Sequence, residues 1–169
     1  MVGLSGSGKS TTARQLMTQS QAIRLRSDAI RKHLAGLSIH EKGPDDIYTS
    51  AMSDKTYSRL ISLGVQLAAR GYQVILDAKF DRVAKRQEAI ADAQRAGLDL
   101  TFLHCTAPAD VLQQRVQQRS GDITDATVAV LANQSMEAFE KNAPVVTVDT
   151  TQSMSDIQAQ LETLFSDRP

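Results

Sequence analysis

The stretch that most constrains this chain is Gly3-Leu4-Ser5-Gly6-Ser7-Gly8-Lys9-Ser10, which satisfies G-x-x-x-x-G-K-[ST] without a gap. Apolar Met1-Val2 precedes it and the helix-forming run Ser10 to Met17 follows, so strand, loop and helix stand in the order that a phosphate-binding loop requires. Glycines at Gly3, Gly6 and Gly8 let the backbone turn tightly, and successive N–H groups can then converge on a nucleotide phosphate at a helix start. The candidate binding set is Gly3, Ser5, Gly6, Ser7, Gly8, Lys9, Ser10 and Thr11. Lys9 is expected at the β- and γ-phosphates and the Ser10 hydroxyl at Mg²⁺, which makes ATP and Mg²⁺ the expected cofactors. A flexible Gly/Ser linker is the weaker reading, because a linker rarely places Gly-Lys-Ser at this offset and then opens an amphipathic helix.

A loop of this kind needs a sheet to hold it. At 169 residues the chain suits one domain, taken as 1–169, with helices on both faces of a sheet. Only Met1 to about Leu4 is available for the first strand, against the usual five or six residues. Either that strand is truncated or Met1 is an internal residue of a longer chain with an upstream or fused domain. Further along, Ala22 to Arg26 reads as a strand and Ser27-Asp28 as the start of a helix to Leu34. Ala35 to Asp46 reads as a polar loop, and about Ser50 to Leu67 as a helix that Gly64 weakens. Val74 to Asp77 is a short apolar strand, followed by an Arg-rich helix from about Arg82 to Ala96. Leu98 to Cys105 is a strand, Pro108 opens a helix through Arg119, and Thr124 to Glu140 reads as helical. Val145 to Val148 and Met154 to Phe165 close the pattern as strand and helix. This alternation predicts an α/β three-layer sandwich with a parallel sheet of about five strands. Right-handed crossovers gather Asp28, Asp77, the loop after Cys105 and Asp149-Thr150 on the edge that carries the phosphate loop.

Several side chains on that edge carry chemistry. Asp28 and Arg31 are three apart at a helix start, so both can face one substrate. Phosphoryl transfer to an alcohol needs a base for the hydroxyl proton and a cation for the moving phosphoryl group, and these two residues fit those roles. A plain helix cap and a solvated arginine describe the same pair equally well. Asp77 ends a strand buried on both faces, where a carboxylate can serve Mg²⁺ or orient basic residues. Arg115 and Arg119 share a helix face before a small, polar stretch, the pattern of a lid over about 112–135 that brings guanidinium groups onto the phosphates. Arg82 and Arg86 are weaker candidates of the same kind. His33, His40 and His104 make no metal-ligand spacing with Cys105, and that single cysteine, in an apolar run, reads as a buried, unreactive thiol.

Together, GLSGSGKST, the Asp-x-x-Arg pair, Asp77 followed by Ala78, and the helical arginines resemble the small P-loop kinases that include polynucleotide 5′-hydroxyl kinase, zeta toxin and chloramphenicol phosphotransferase. The stretches IRLRSDAIRKHLAGL, IYTSAMSDKTYSRL, GYQVILDAKF and LHCTAPADVLQQRVQQR are similar to the AAA-type ATP-binding kinase domain found alone or fused behind an aminoglycoside-phosphotransferase-like domain. The resemblance implies Lys9 and Ser10 at ATP-Mg²⁺, Asp28 as base, Arg31 at the acceptor or γ-phosphate, and Arg115 with Arg119 in the lid. Lys79 departs from the small or polar residue expected there, and the segment from Arg119 to Asp122 is short.

The expected activity is transfer of the γ-phosphoryl group to a hydroxyl of a small-molecule acceptor. A nucleic-acid 5′-hydroxyl kinase and a regulatory ATPase module without an acceptor are the alternatives. Lys plus Arg equals Asp plus Glu at 19 each, and aromatic residues make up 4%, so a nucleic-acid partner is not expected. With no apolar run long enough to span a bilayer and no leader pattern, no membrane partner and a cytoplasmic location are expected.

Overall fold

The computed structural model describes residues 1–118 and 131–166. Helix α1 (Lys9–Ser20) leaves the phosphate loop, and β1 (Ile23–Arg26) and α2 (Ser27–Leu34) follow. A 3₁₀ turn at Asp45–Tyr48 leads into α3 (Ser50–Ala68). Then come β2 (Val74–Asp77), α4 (Val83–Arg95), β3 (Phe102–Thr106), α5 (Ala109–Gln117), β4 (Val145–Asp149) and α6 (Met154–Ser166). Most elements fall where periodicity put them. The third strand is shorter than expected, because Leu98 to Thr101 lie outside the ladder. Of the helix expected over Thr124 to Glu140, residues 134–140 are not helical, and residues 124–130 lie outside the described residues.

The sheet differs from expectation. In place of one sheet of about five strands, the described residues form two parallel pairs, β1 with β2 and β3 with β4. Residues 1–3 run between them: the Met1 amine donates to Leu76 O at 2.7 Å and Gly3 N to Lys79 O at 3.1 Å. On the other side Val2 N donates to Leu103 O at 2.8 Å and Val2 O accepts from Cys105 N at 2.9 Å, forming an isolated parallel bridge. Three residues before the loop turns are too few to build a ladder on either side. A cavity of about 720 Å³ continues the line of these residues between the starts of β2 and β3, lined by Met1, Val74, Leu76, Leu100 and Leu103. Burial lowers the pKa of the Met1 ammonium at its head.

Side chains alternate across this array with the period of two that strands impose. Met1, Leu103, Cys105 and Val148 pack with Ala13 and Leu16 of α1 and Ile157 and Leu161 of α6. Val2, Ala78 and Phe102 face the other way, against Tyr57, Leu60 and Ile61 of α3 and Ala89 of α4. Helices thus cover both faces. The Thr49 side chain caps α3, accepting from Met52 N at 3.3 Å. Gly64 packs against the sheet: a Cβ there would lie 2.7 Å from Leu76 Cδ2. What reads in sequence as a weak point of α3 is thus a close contact with a β2 side chain, which must shift to admit a Cβ.

Candidate active site

The phosphate loop is held by contacts that forbid side chains at its glycines. Gly8, the N-cap of α1, has φ 84°, and a Cβ there would meet the Thr150 side chain at 2.9 Å. A Cβ on Gly6 would lie 2.6 Å from Leu112 O. Within the loop, Lys9 Nζ donates to Leu4 O at 2.7 Å and Ser7 N to the same carbonyl at 3.2 Å. Thr11 N and Thr12 N both donate to Gly8 O at 3.0 Å, closing the first turn of the helix.

Asp77 reaches this loop from the end of β2. Its Oδ2 accepts the Ser10 hydroxyl at 3.1 Å and Arg24 Nε at 3.0 Å, and Arg24 Nη2 completes a buried ion pair with it. The parallel register sets Arg26 opposite Asp77, so Arg24, two residues earlier on β1, shares a sheet face with the carboxylate. Sequence reasoning missed Arg24, whose only signal is a charge in a short apolar strand. Among the described residues no cluster of three or more His, Cys, Asp or Glu could hold a metal ion.

The Asp28–Arg31 pair lies on α2, whose first turn contains Asp28. Arg31 is buried, and its Nη1 donates to Ile47 O at 3.1 Å and Ser53 Oγ at 3.3 Å, with the guanidinium 5.2 Å from the Tyr48 ring centre. The structure thus holds Arg31 on the 47–53 segment, while its buried Nε has no hydrogen-bond partner. Beside this pair, the Tyr57 hydroxyl accepts from Phe80 N at 3.0 Å. Burial pushes the Tyr57 pKa up to about 12, and the fields of Asp81, Arg31 and Asp28 all reach it. Lys79 forms an ion pair with Asp81 at 2.8 Å. Tyr57 thus joins α3 to the 79–81 loop, within the electrostatic reach of Asp28 and Arg31.

Arg115 stands on the opposite side of the loop. Its Nη1 donates to Thr150 Oγ1 at 2.8 Å and Gly6 O at 3.4 Å, and its Nη2 to Thr150 O at 2.8 Å. The Thr150 hydroxyl lies 3.0 Å from both Ser7 O and Thr106 O. These bonds tie α5 and the end of β4 to the loop. A cavity of about 400 Å³ opens there, lined by Gly8, Thr11, Arg115, Gln118, Thr150 and Met154. Arg119 and the middle half of the expected lid, residues 119–130, lie outside the described residues.

One further segment, expected from the sequence to be helical, reaches the site without a helix at residues 134–140. Gln134 Oε1 accepts from Ser5 N at 3.0 Å and its Nε2 donates to Ser5 Oγ at 3.0 Å. Glu137 N donates to Asp81 O at 2.9 Å, and the Glu137 carboxylate accepts from Val83 N at 2.6 Å. Arg86, a weaker candidate in the sequence, is fully buried and donates to Phe80 O, Asp81 O, Glu137 O and Ala138 O. A helical reading of 134–140 hides all of this.

A glycine loop opening a helix, with a strand-end carboxylate on its serine and helices on both sheet faces, defines a P-loop nucleotide-binding domain. The chain belongs to the AAA domain family, which matches residues 1–140. It is 29% identical over 134 residues to the uncharacterized proteins Rv2004c of Mycobacterium tuberculosis and Mb2027c of Mycobacterium bovis, matching 77% of this chain. The chain spans about a quarter of the length of these relatives, 27%. Its fold is that of P-loop kinases. A sugar kinase from Janibacter sp. superposes with TM-score 0.71 and 22% identity, covering 99% of this chain and 93% of that one. The APS kinase CysC of Mycobacterium tuberculosis, in complex with AMPPNP and APS, gives 0.71 and 24% over 96% and 94%. A gluconokinase from Sinorhizobium meliloti gives 0.62 and 22% over 99% and 95%. No helix among the described residues is long and apolar enough to cross a membrane.

Proposed function

We propose that the protein is an ATP- and Mg²⁺-dependent kinase that transfers the γ-phosphoryl group to a hydroxyl of a small-molecule acceptor, acting in the cytoplasm. The observation that carries the reading is the Ser10–Asp77 contact, which sets a carboxylate beside the loop serine at the phosphate end of the site. A hydroxyl and a carboxylate are oxygen donors suited to Mg²⁺, which keeps several waters and takes few protein ligands. Ser10 would hold the ion directly and Asp77 through its waters, with Arg24 fixing the carboxylate. The ion supplies charge neutralisation at the phosphates.

The chain's own residues divide the remaining work. Lys9 would leave Leu4 O for the β- and γ-phosphates and offset charge as the γ-group moves. Asp28 would accept the acceptor's hydroxyl proton as its oxygen bonds to the γ-phosphorus and the bond to the bridging oxygen breaks, releasing ADP. Arg31, Tyr57 and the 79–81 loop would line the acceptor. Arg115 would border the nucleotide beside the cavity at Thr150, and Arg119 would join it over the phosphates. The sugar kinase and gluconokinase among the fold neighbours are named for small hydroxylated substrates, and the zero net charge of this chain favours such an acceptor over a polyanion. The length of the mycobacterial relatives supports a role as the ATP-binding domain of a longer protein.

The test is a screen of hydroxyl compounds, including sugars, antibiotics and 5′-hydroxyl oligonucleotides, for acceptor-dependent ADP release. A small-molecule hit with an oligonucleotide blank agrees with the proposal. Efficient, salt-sensitive labelling of the oligonucleotide contradicts it.

A further inference from the structure

We propose that Gln134 is a positioning residue that holds the Leu4–Ser5 peptide of the phosphate loop until a terminal phosphate takes its place, and that the 134–140 segment passes this occupancy to the loop after Asp77. The proposal rests on the kinase reading above. Leu4 C=O and Ser5 N–H belong to one peptide unit. Its oxygen accepts from Lys9 Nζ at 2.7 Å and its N–H donates to Gln134 Oε1 at 3.0 Å. One peptide plane is thus gripped from both ends, by the lysine that serves the β- and γ-phosphates and by a side chain 129 residues away in sequence.

A terminal phosphate competes for both grips at once. It draws Lys9 from Leu4 O and offers Ser5 N–H an anionic acceptor, and charge-assisted bonds are about twice as strong as neutral ones. Gln134 then loses a neutral bond to Ser5, while its Nε2, now 3.0 Å from Ser5 Oγ, is placed to donate to the phosphate. The exchange favours the triphosphate. A diphosphate, which has no γ-group, leaves the Gln134–Ser5 pair in place.

The far end of the segment is bonded to residues 80–83, which the kinase reading sets at the acceptor. Glu137 bonds Asp81 O and Val83 N through its own N–H and carboxylate. Arg86 joins Glu137 O and Ala138 O to Phe80 O and Asp81 O, lies 4.5 Å from the Phe139 ring centre and pairs with Glu140 at 3.5 Å. Two residues separate Gln134 from this clasp, so a shift at Gln134 reaches residues 80–83, where Phe80 N also holds the Tyr57 hydroxyl. Acceptor geometry thereby becomes sensitive to the γ-phosphate.

The experiment measures Mg²⁺-dependent binding of AMPPNP and of ADP to the wild-type protein, Gln134→Ala and Gln134→Glu, with hydrogen exchange at residues 80–83 and 136–140. Gln134 is half-buried, and circular dichroism confirms that each variant is folded. The expected result is that Gln134→Ala weakens AMPPNP about tenfold and Gln134→Glu more, by repulsion, with ADP unchanged within twofold. AMPPNP but not ADP should alter exchange at 80–83 in the wild type, and Gln134→Ala should abolish the difference. Equal losses for both nucleotides, or no loss, would overturn the proposal while leaving the kinase reading intact. A wild-type protein that binds neither nucleotide would overturn both.

Discussion

Replacing Asp77 by Asn perturbs the point where the phosphate loop, β1 and β2 meet. The Arg24 and Asp77 side chains are 10% and 5% exposed, so the substitution leaves a guanidinium inside the protein with no counter-charge. Removing one partner of such a pair costs about 3–5 kcal/mol, and Asn retains one acceptor, which favours the lower end. At roughly 2–4 °C per kcal/mol for a domain of this size, the melting temperature should fall by about 6–12 °C. The double variant Arg24→Met, Asp77→Leu removes both charges and should recover most of that loss, because packed apolar groups replace a buried pair at little cost. It should nonetheless bind Mg²⁺-nucleotide poorly, because Ser10 has lost its carboxylate. Calorimetric melting of the wild type and the two variants decides the stability claim, and nucleotide titration with and without Mg²⁺ decides the second. A fall of less than about 2 °C for Asp77→Asn, or a double variant no more stable than the single one, would refute the reasoning.

Lys9→Ala should remove most transfer activity, since an oriented cation at the moving phosphoryl group stabilises the transition state by several kcal/mol; steady-state ADP release checks it. The His104 pKa is lowered first by burial and then by the charge of Arg86. The unfolded chain therefore takes up the proton before the folded one, so this contribution to stability is complete above about pH 6.5 and is lost as pH falls through the lowered value. His104→Gln should flatten the melting temperature between about pH 5 and 7 relative to wild type. An extension of three or four β-branched apolar residues before Met1 should occupy the cavity between β2 and β3 and replace a buried ammonium with an amide. At about 1.5–3 kcal/mol for each side chain fully buried, a rise of several degrees is the expected readout.

Local chemistry was legible in the sequence and long-range pairing was not. The phosphate loop, the face of α3 that buries Tyr57, Leu60 and Ile61, and the strand ending in Asp77 all follow from short-range pattern. Gly64 reads as a helix defect until Leu76 is seen against it. The partners of Asp77 could not be read because Arg24 comes from a strand 53 residues earlier, and nothing in either strand announces their register. Gln134 and the partners of Arg86 were obscured for another reason: residues 134–140 carry enough helix-favouring residues to imitate periodicity, yet their backbone is bonded across to Asp81 and Arg86. Tertiary bonds overrode propensity there. The five-strand sheet failed as an expectation because residues 1–3 supply a bridge and not a ladder.

The most direct test of the central claim is single-turnover transfer from γ-labelled ATP to an acceptor found in the screen, comparing wild type with Asp28→Asn at matched nucleotide saturation. Wild type should label the acceptor, and Asp28→Asn should keep its ATP affinity with a transfer rate lower by roughly 10²–10⁴-fold. Transfer by Asp28→Asn at the wild-type rate, or a loss explained wholly by weaker ATP binding, would contradict the claim.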